Sequence, residues 1–303
     1  RYGSDKPDLR FEMEIVDVSD LVKDCGFQVF ANTVKEGGVV KALRVPGGSE
    51  FSRKDIDDYT EIAKTYGAKG LAYIVVEEEG AKSPILKFFE DEGKALIKAA
   101  QAEPGDVIFF GADTFETACT ALGYVRLACA DHFKLRDSRK LAFCWVTDFP
   151  LFEFSEEEQR LVSAHHPFTC PLDEDLDLLD SDPKKVKAKA YDLALNGSEI
   201  AGGSIRIHDP VLQRRIFTAL GISDEEAEKR FGHLLNAFKY GAPPHGGIAW
   251  GLDRIVMLLQ DEPNIREVIA FPKDQKAKDL MVGSPSELPE AQIKEMNIKT
   301  IEE

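Results

Sequence analysis

The chain has 303 residues, 38 basic against 54 acidic, for a net charge of −16 with 43% hydrophobic side chains. That composition can bury a core, and it speaks against nucleic-acid binding through bulk positive potential. No apolar run approaches the ~20 residues that span a bilayer and the N-terminus lacks a signal-peptide pattern, so a cytosolic protein is expected. Five cysteines, Cys25, Cys119, Cys129, Cys144 and Cys170, include no C-x-x-C pair, which argues against a disulfide frame and a zinc knuckle.

The polar decapeptide from Arg1 to Arg10 offers neither strand nor helix and reads as a cut end. From residue 14 to 139 strand-like and helical pieces alternate. Residues 27–30 and 39–45 read as strands, the second closed by Pro46-Gly47-Gly48. Ser52 caps a helix over 53–66 with Ile56, Tyr59 and Ala63 inward and Gly67 as its stop. Residues 71–76 form a buried strand ending in Glu77-Glu78-Glu79, a solvated run rather than a metal site. A helix over 92–102, a strand over 106–111 and a helix over 114–133 complete a compact α+β unit without a catalytic constellation.

Residues 141–152 read as a central strand. His165 and His166, just before Pro167, sit in extended backbone and point to opposite sides, so at most one enters a given pocket directly. Asp182-Pro183 is expected to open a basic helix over 184–195. Asp192 then falls in its last turn, where the negative end of the dipole calls for a compensating cation. In the following strand, 199–208, Glu199 and Arg206 have opposite parity, and a regular strand would send them to opposite faces. A bulge at Gly202-Gly203 would bring both into one pocket. Asp192 and Glu199 suit Mg²⁺, whose shell phosphate oxygens and water complete, and Arg206 offers a planar fork for a substrate carboxylate. The residues alone favour the plainer reading, a surface aspartate, an edge-strand glutamate and a salt-bridged arginine.

Helices over 211–220 and from Ser223 to 239 lead into a turn stiffened by Pro243, Pro244 and three glycines, and then a short apolar strand. A further helix starts near Gly251, with Leu252, Ile255, Val256 and Leu259 at i, i+3, i+4 and i+7. Arg254 lies in its first turn, where unpaired amides and the helix dipole favour an anion; a solvated arginine on an amphipathic helix is the equally weighted alternative. Residues 268–273 read as a closing strand, and the tail after Pro285 as loosely held.

Gly251-Leu252-Asp253-Arg254 resembles motif 3 of the class II aminoacyl-tRNA synthetases, in the form seen in aspartyl-tRNA synthetases. The opening decapeptide, the His165-His166-Pro167-Phe168 segment and the strand from Glu199 to Arg206 resemble the bacterial type of that family, and residues 14–139 resemble its GAD insertion. The resemblance implies an α+β protein: a catalytic-core entry segment (1–13), a GAD-like insertion (14–139) and the C-terminal half of an antiparallel-sheet class II core with motif 3 (140–303). It implies ATP as substrate, Mg²⁺ as cofactor, and L-aspartate and tRNA-Asp as partners, leaving open whether tRNA-Asn is also charged. It further implies a homodimer of the full-length enzyme in the cytoplasm.

By residue, the resemblance assigns ATP to Glu199, Gly251, Leu252, Asp253 and Arg254, magnesium to Asp192 and Glu199, and aspartate to His165, His166 and Arg206. Catalysis falls to Arg254, Glu199 and Arg206. Motifs 1 and 2 would lie upstream of Arg1, so the chain alone is expected to be inactive. A non-catalytic paralogue, or a tRNA- or protein-binding module of the same fold, is the competing expectation, and a zinc hydrolase built on His165, His166 and His208 a more distant one.

Overall fold

The computed structural model describes residues 1–89 and 91–299. The chain divides into two units, Arg1–Trp250 and Gly251–Glu303. Among the described residues the first unit contains a five-stranded sheet, a four-stranded sheet and a two-stranded hairpin, all antiparallel.

The five-stranded sheet is built from β1 (Ile15–Asp17), β2 (Val39–Val45), β3 (Ala72–Glu77), β4 (Gly80–Lys82) and β5 (Val107–Asp113), in the order β1-β2-β5-β3-β4. With it come α1 (Ser19–Val22), α2 (Gln28–Lys35), α3 (Arg53–Thr65), α4 (Glu92–Ala99) and α5 (Phe115–His132). Alternation along the strands closes both faces. Leu43, Val45, Val107 and Phe109 pack with Ile56 and Tyr59 of α3 and Leu122 and Val125 of α5. Val40, Ala42, Ile108 and Phe110 pack on the other side with Val22, Phe30 and Leu96. Phe11 and Met13 join the first of these layers. Ser52 caps α3 by a reciprocal box with Asp55, its Oγ accepting from the Asp55 amide at 3.2 Å while the Asp55 carboxylate accepts from the Ser52 amide at 2.8 Å.

The strand expected over residues 27–30 is instead the start of α2. Phe27, Phe30, Ala31 and Val34 recur at i, i+3, i+4 and i+7, a helical period that a four-residue window cannot reveal. The rings of Phe27 and Phe30 meet edge to face at 4.8 Å.

The four-stranded sheet contains β6 (Phe143–Val146), β9 (Ala190–Leu195), β10 (Ser198–Ile205) and β11 (Gly246–Trp250), in the order β11-β10-β9-β6, and β7 (Phe152–Ser155) pairs with β8 (Arg160–Ser163). β6 thus lies at an edge of its sheet and not at its centre. The helix expected over 184–195 is absent: a single 3-10 turn, Pro183–Lys185, is followed by extended chain and β9. The reason is legible afterwards. Val186, Ala188 and Ala190 are buried while Lys185, Lys187 and Lys189 alternate with them, a period of two disguised by the helical propensity of alanine and lysine. Asp192 therefore sits on a strand, and no helix dipole acts on it.

The short α6 (Leu178–Ser181) and α7 (Pro210–Ala219), capped by Asp209, close a core of Leu151, Val186, Ile207 and Ile216. In α8 (Asp224–Phe238), capped by Ser223, Phe231 stacks on Phe217 at 5.6 Å. The second unit contains α9 (Leu252–Leu259) and α10 (Glu290–Glu295). Residues 268–273 form no strand; Lys273 makes one isolated bridge to Asp279. Among the described residues no helix is long and apolar enough to cross a membrane.

Candidate functional site

The site is built on the β9–β10 hairpin. Its turn, Asn196-Gly197, has φ of 53° and 87°, the left-handed backbone that asparagine and glycine tolerate best. The Asn196 side chain accepts from the Ala142 amide at 3.0 Å and donates to the Lys140 carbonyl at 2.9 Å, tying the turn to the chain that enters β6.

Pairing then runs Ser198 to Leu195 and Glu199 to Ala194, but Ala201 to Leu193, so the register shifts between Glu199 and Ala201. Ile200, 3% exposed, is the extra residue. The shift puts Glu199 on the same face as Gly202, whose partner across the sheet is Asp192. Continued alternation places Ser204 and Arg206 on that face too. A bulge does unite Glu199 with Arg206, but ahead of Gly202-Gly203 and not at them. The two glycines do a different job, as a Cβ on Gly202 would lie 2.5 Å from Asp192 Oδ1 and 3.5 Å from Glu199 Oε1. A Cβ on Gly203, facing the other way, would overlap the Gly247 carbonyl.

The face is therefore a floor of small residues, Ala194, Gly202, Ser204, Gly247 and Ala249. Two carboxylates rise at one end. At the other, four residues or about 13 Å along the strand, Arg206 donates from Nη1 to Thr169 Oγ1 at 3.5 Å and from its amide to the His245 carbonyl at 2.9 Å.

Electrostatics marks the same two ends. Burial, then the neighbouring Glu199 carboxylate, push the Asp192 carboxyl above its usual range; Asp5 adds to this, while His165 and Lys6 pull it back. Burial, then the Arg206 guanidinium, lower the His166 imidazole. His166 Nδ1 accepts from the Phe168 amide at 3.2 Å, which puts the proton of the neutral ring on Nε2. The adjacent histidines thus part, His165 acting on Asp192 and packing edge-on against Phe149 at 5.0 Å, His166 facing Arg206. Asp5, Lys6 and Thr169 carry no signal in the sequence that would have singled them out, because each reaches the site by a long-range contact.

Gly251, Leu252, Asp253 and Arg254 form the entry turn of α9 in the second unit, closed by the Ile255 amide donating to the Gly251 carbonyl at 3.0 Å. Within α9 Met257 is the buried residue, while Leu252 and Leu259 remain exposed.

A metal would have to suit these donors. Among the described residues no three His, Cys, Asp or Glu side chains gather as a closed protein site requires, and His165, His166 and His208 do not form one. Two carboxylates converging over Gly202 at an electrostatic cost are instead a fit for a hard divalent cation that takes its remaining ligands from phosphate and water.

Residues 1–275 match the family model described as tRNA synthetases class II (D, K and N), and the chain belongs to that family. The antiparallel sheets of a mixed α/β chain are consistent with the class II core of that family. The chain is 55% identical over 300 residues to the aspartate-tRNA(Asp/Asn) ligase of Heliobacterium modesticaldum, an alignment covering 99% of this chain and 50% of that protein. It is 53% identical over 301 residues to the protein of the same name from Syntrophotalea carbinolica, again 99% of this chain and 50% of the other. The chain thus spans about half the length of the curated relatives it matches. A solved aspartyl-tRNA synthetase from Entamoeba histolytica superposes over 79% of this chain and 44% of its own with a TM-score of 0.35 and 20% identity, too loosely to carry an argument.

Proposed function

We propose that the chain forms part of an aspartate-tRNA ligase that activates L-aspartate with ATP and passes the aspartyl group to tRNA-Asp and tRNA-Asn. The proposal includes an entry segment over 1–13, a GAD-like insertion over 14–139 and the C-terminal part of the catalytic core over 140–303. A dimeric, cytoplasmic enzyme belongs to the same proposal and rests on the family resemblance alone. The reading of the site rests chiefly on one observation, the register shift that turns Glu199 toward Asp192 and onto the face that bears Arg206.

On this reading Asp192 and Glu199 hold Mg²⁺, which when bound neutralises phosphate charge. Arg206 grips the side-chain carboxylate of aspartate at two points, flanked by the Thr169 hydroxyl and a neutral His166 that adds no competing charge. His165 serves the aspartate from the acidic end. A glycine floor lets a flat ligand lie close to the sheet between the two ends. The substrate α-carboxylate attacks the α-phosphorus, and the bond to pyrophosphate breaks. The protein contributes chiefly position and preorganised charge. Gly251, Leu252, Asp253 and Arg254 are proposed as ATP contacts from the resemblance and from the position of Arg254 in the first turn of a helix. A non-catalytic module would have no use for two carboxylates brought together against their mutual repulsion.

Calorimetric titration of the chain with a non-hydrolysable aspartyl-adenylate analogue, with and without Mg²⁺, tests the reading. Saturable binding that weakens in Glu199→Gln and in Arg206→Ala is expected. No binding to the wild-type chain, or binding indifferent to both substitutions, overturns it.

A further inference from the structure

Arg126, in α5, is the largest side chain among the fully buried ones, at 1% exposure. A guanidinium in a core is costly unless its N–H groups are used. Its Nε donates to the Met13 carbonyl at 2.8 Å, and its Nη2 donates to the carbonyls of Asp8 at 2.8 Å and Phe11 at 3.2 Å. The rings of Phe11 and Tyr2 lie 4.1 Å and 5.1 Å from its Cζ. Burial lowers its pKa to about 10, which leaves it charged at neutral pH. Every one of these partners belongs to the first 13 residues. One turn earlier on the same helix, Gly123 meets Gly3 so closely that a Cβ on either would come within 2.7 Å of the other's backbone.

The segment held in this way reaches the candidate site. Asp8, 2% exposed, is gripped by Arg10, with Nη2 to Oδ2 at 2.6 Å, and packs on the β9–β10 turn, where a Cβ on Gly197 would be 3.5 Å from the Asp8 Cβ. The Arg10 carbonyl accepts from Lys140 Nζ at 2.7 Å, beside the residues that Asn196 ties to the turn.

We propose that Arg126 is a positioning residue for the carboxylate pair: by clamping the backbone of residues 8–13 it seats Asp8 against the Asn196-Gly197 turn and fixes the register in which Glu199 meets Asp192. The inference rests on reading that pair as a cation site, and it extends the site to a helix of the other sheet.

The test compares the whole chain with Arg126→Met, Arg126→Lys and Gly123→Ala, the last of which displaces Gly3 while leaving the guanidinium in place. Two measurements are made on each: amide hydrogen exchange, and titration with Mn²⁺ as the probe cation. In Arg126→Met the amides of residues 198–201 should exchange about tenfold faster while those of β2 and β5 stay near wild-type, and the Mn²⁺ midpoint should weaken about tenfold. Arg126→Lys, with one donor group left to reach a carbonyl, should recover part of both effects. Gly123→Ala should repeat the pattern and decides the matter should Arg126→Met fail to fold. Wild-type exchange at 198–201 with acceleration confined to residues 1–13 overturns the proposal. Uniform acceleration through both sheets in both Arg126→Met and Gly123→Ala overturns it as well. Failure of Mn²⁺ to bind the wild-type chain removes the cation-site reading, while the exchange data still decide whether the clamp exists.

Discussion

In the five-stranded sheet both faces are closed by apolar side chains, with Phe109 at 0% exposure on one side and Phe110 at 1% on the other. In the four-stranded sheet one face carries glycine, alanine and serine beneath two carboxylates, and burial, then the Glu199 charge, raise the Asp192 carboxyl. Both sheets are antiparallel ladders, and apart from the one register shift that aims Glu199 the backbone does not decide what a sheet is for. Side-chain volume decides it. Where volume fills the face the sheet contributes stability; where glycine, alanine and serine floor it, two carboxylates converge and charge is carried at a cost. The two sheets should therefore answer substitution in opposite ways.

The largest effect is expected in the filled sheet. Phe109→Ala should lower unfolding free energy by about 3–5 kcal/mol and leave the Mn²⁺ midpoint of the folded chain at its wild-type value; a parallel loss of Mn²⁺ binding would break the contrast. Asp8→Asn comes next, at about 1.5–3 kcal/mol for charge-assisted bonds to Arg10 in a nearly buried setting. Burial works to raise the Asp8 carboxyl, but the Arg10 bonds outweigh it and hold it below its usual 3.8. The stability this contributes is present above pH 3.8 and is lost as pH falls through the lower folded value. Chemical denaturation of the two chains should accordingly differ at pH 7 and converge in strong acid.

Gly202→Ala sharpens the contrast from the bare side. The added methyl meets Asp192 Oδ1 at 2.5 Å and must spread the pair, so Mn²⁺ affinity should fall about tenfold with little change in melting temperature. Unchanged Mn²⁺ binding there would show that the convergence over Gly202 is irrelevant to cations. The smallest effect is Ser52→Ala, which removes the cap of α3 for about 1 kcal/mol and should leave Mn²⁺ binding untouched.

Most of the filled sheet was legible because its signals are local: the Ser52 cap, the apolar run into Phe110, the turn after Val45. Residues 27–30 failed because the helical stripe only shows when Ala31 and Val34 are counted. Residues 184–195 failed because propensity and period disagreed, and burial of Val186, Ala188 and Ala190 sided with period. At the candidate site Asp192, Glu199 and Arg206 stood out by residue type, and the need for a phase shift by their parity. The location of the shift did not, since Ile200 and Ala201, both buried, look like ordinary strand. The contribution of Asp8 and Arg126 depends on contacts across more than a hundred positions, and no periodicity encodes those.

The clamp also has a bearing on the order of events during synthesis. Residues 8, 11 and 13 emerge 113 to 118 positions ahead of the arginine that will enclose them, although Phe11 and Met13 also share a layer with Leu43 and Val45, which emerge earlier. Closing so long a loop is slow relative to hairpins and helices and is repaid only once α5 exists. Residues 8–13 therefore complete their contacts only after α5 has formed.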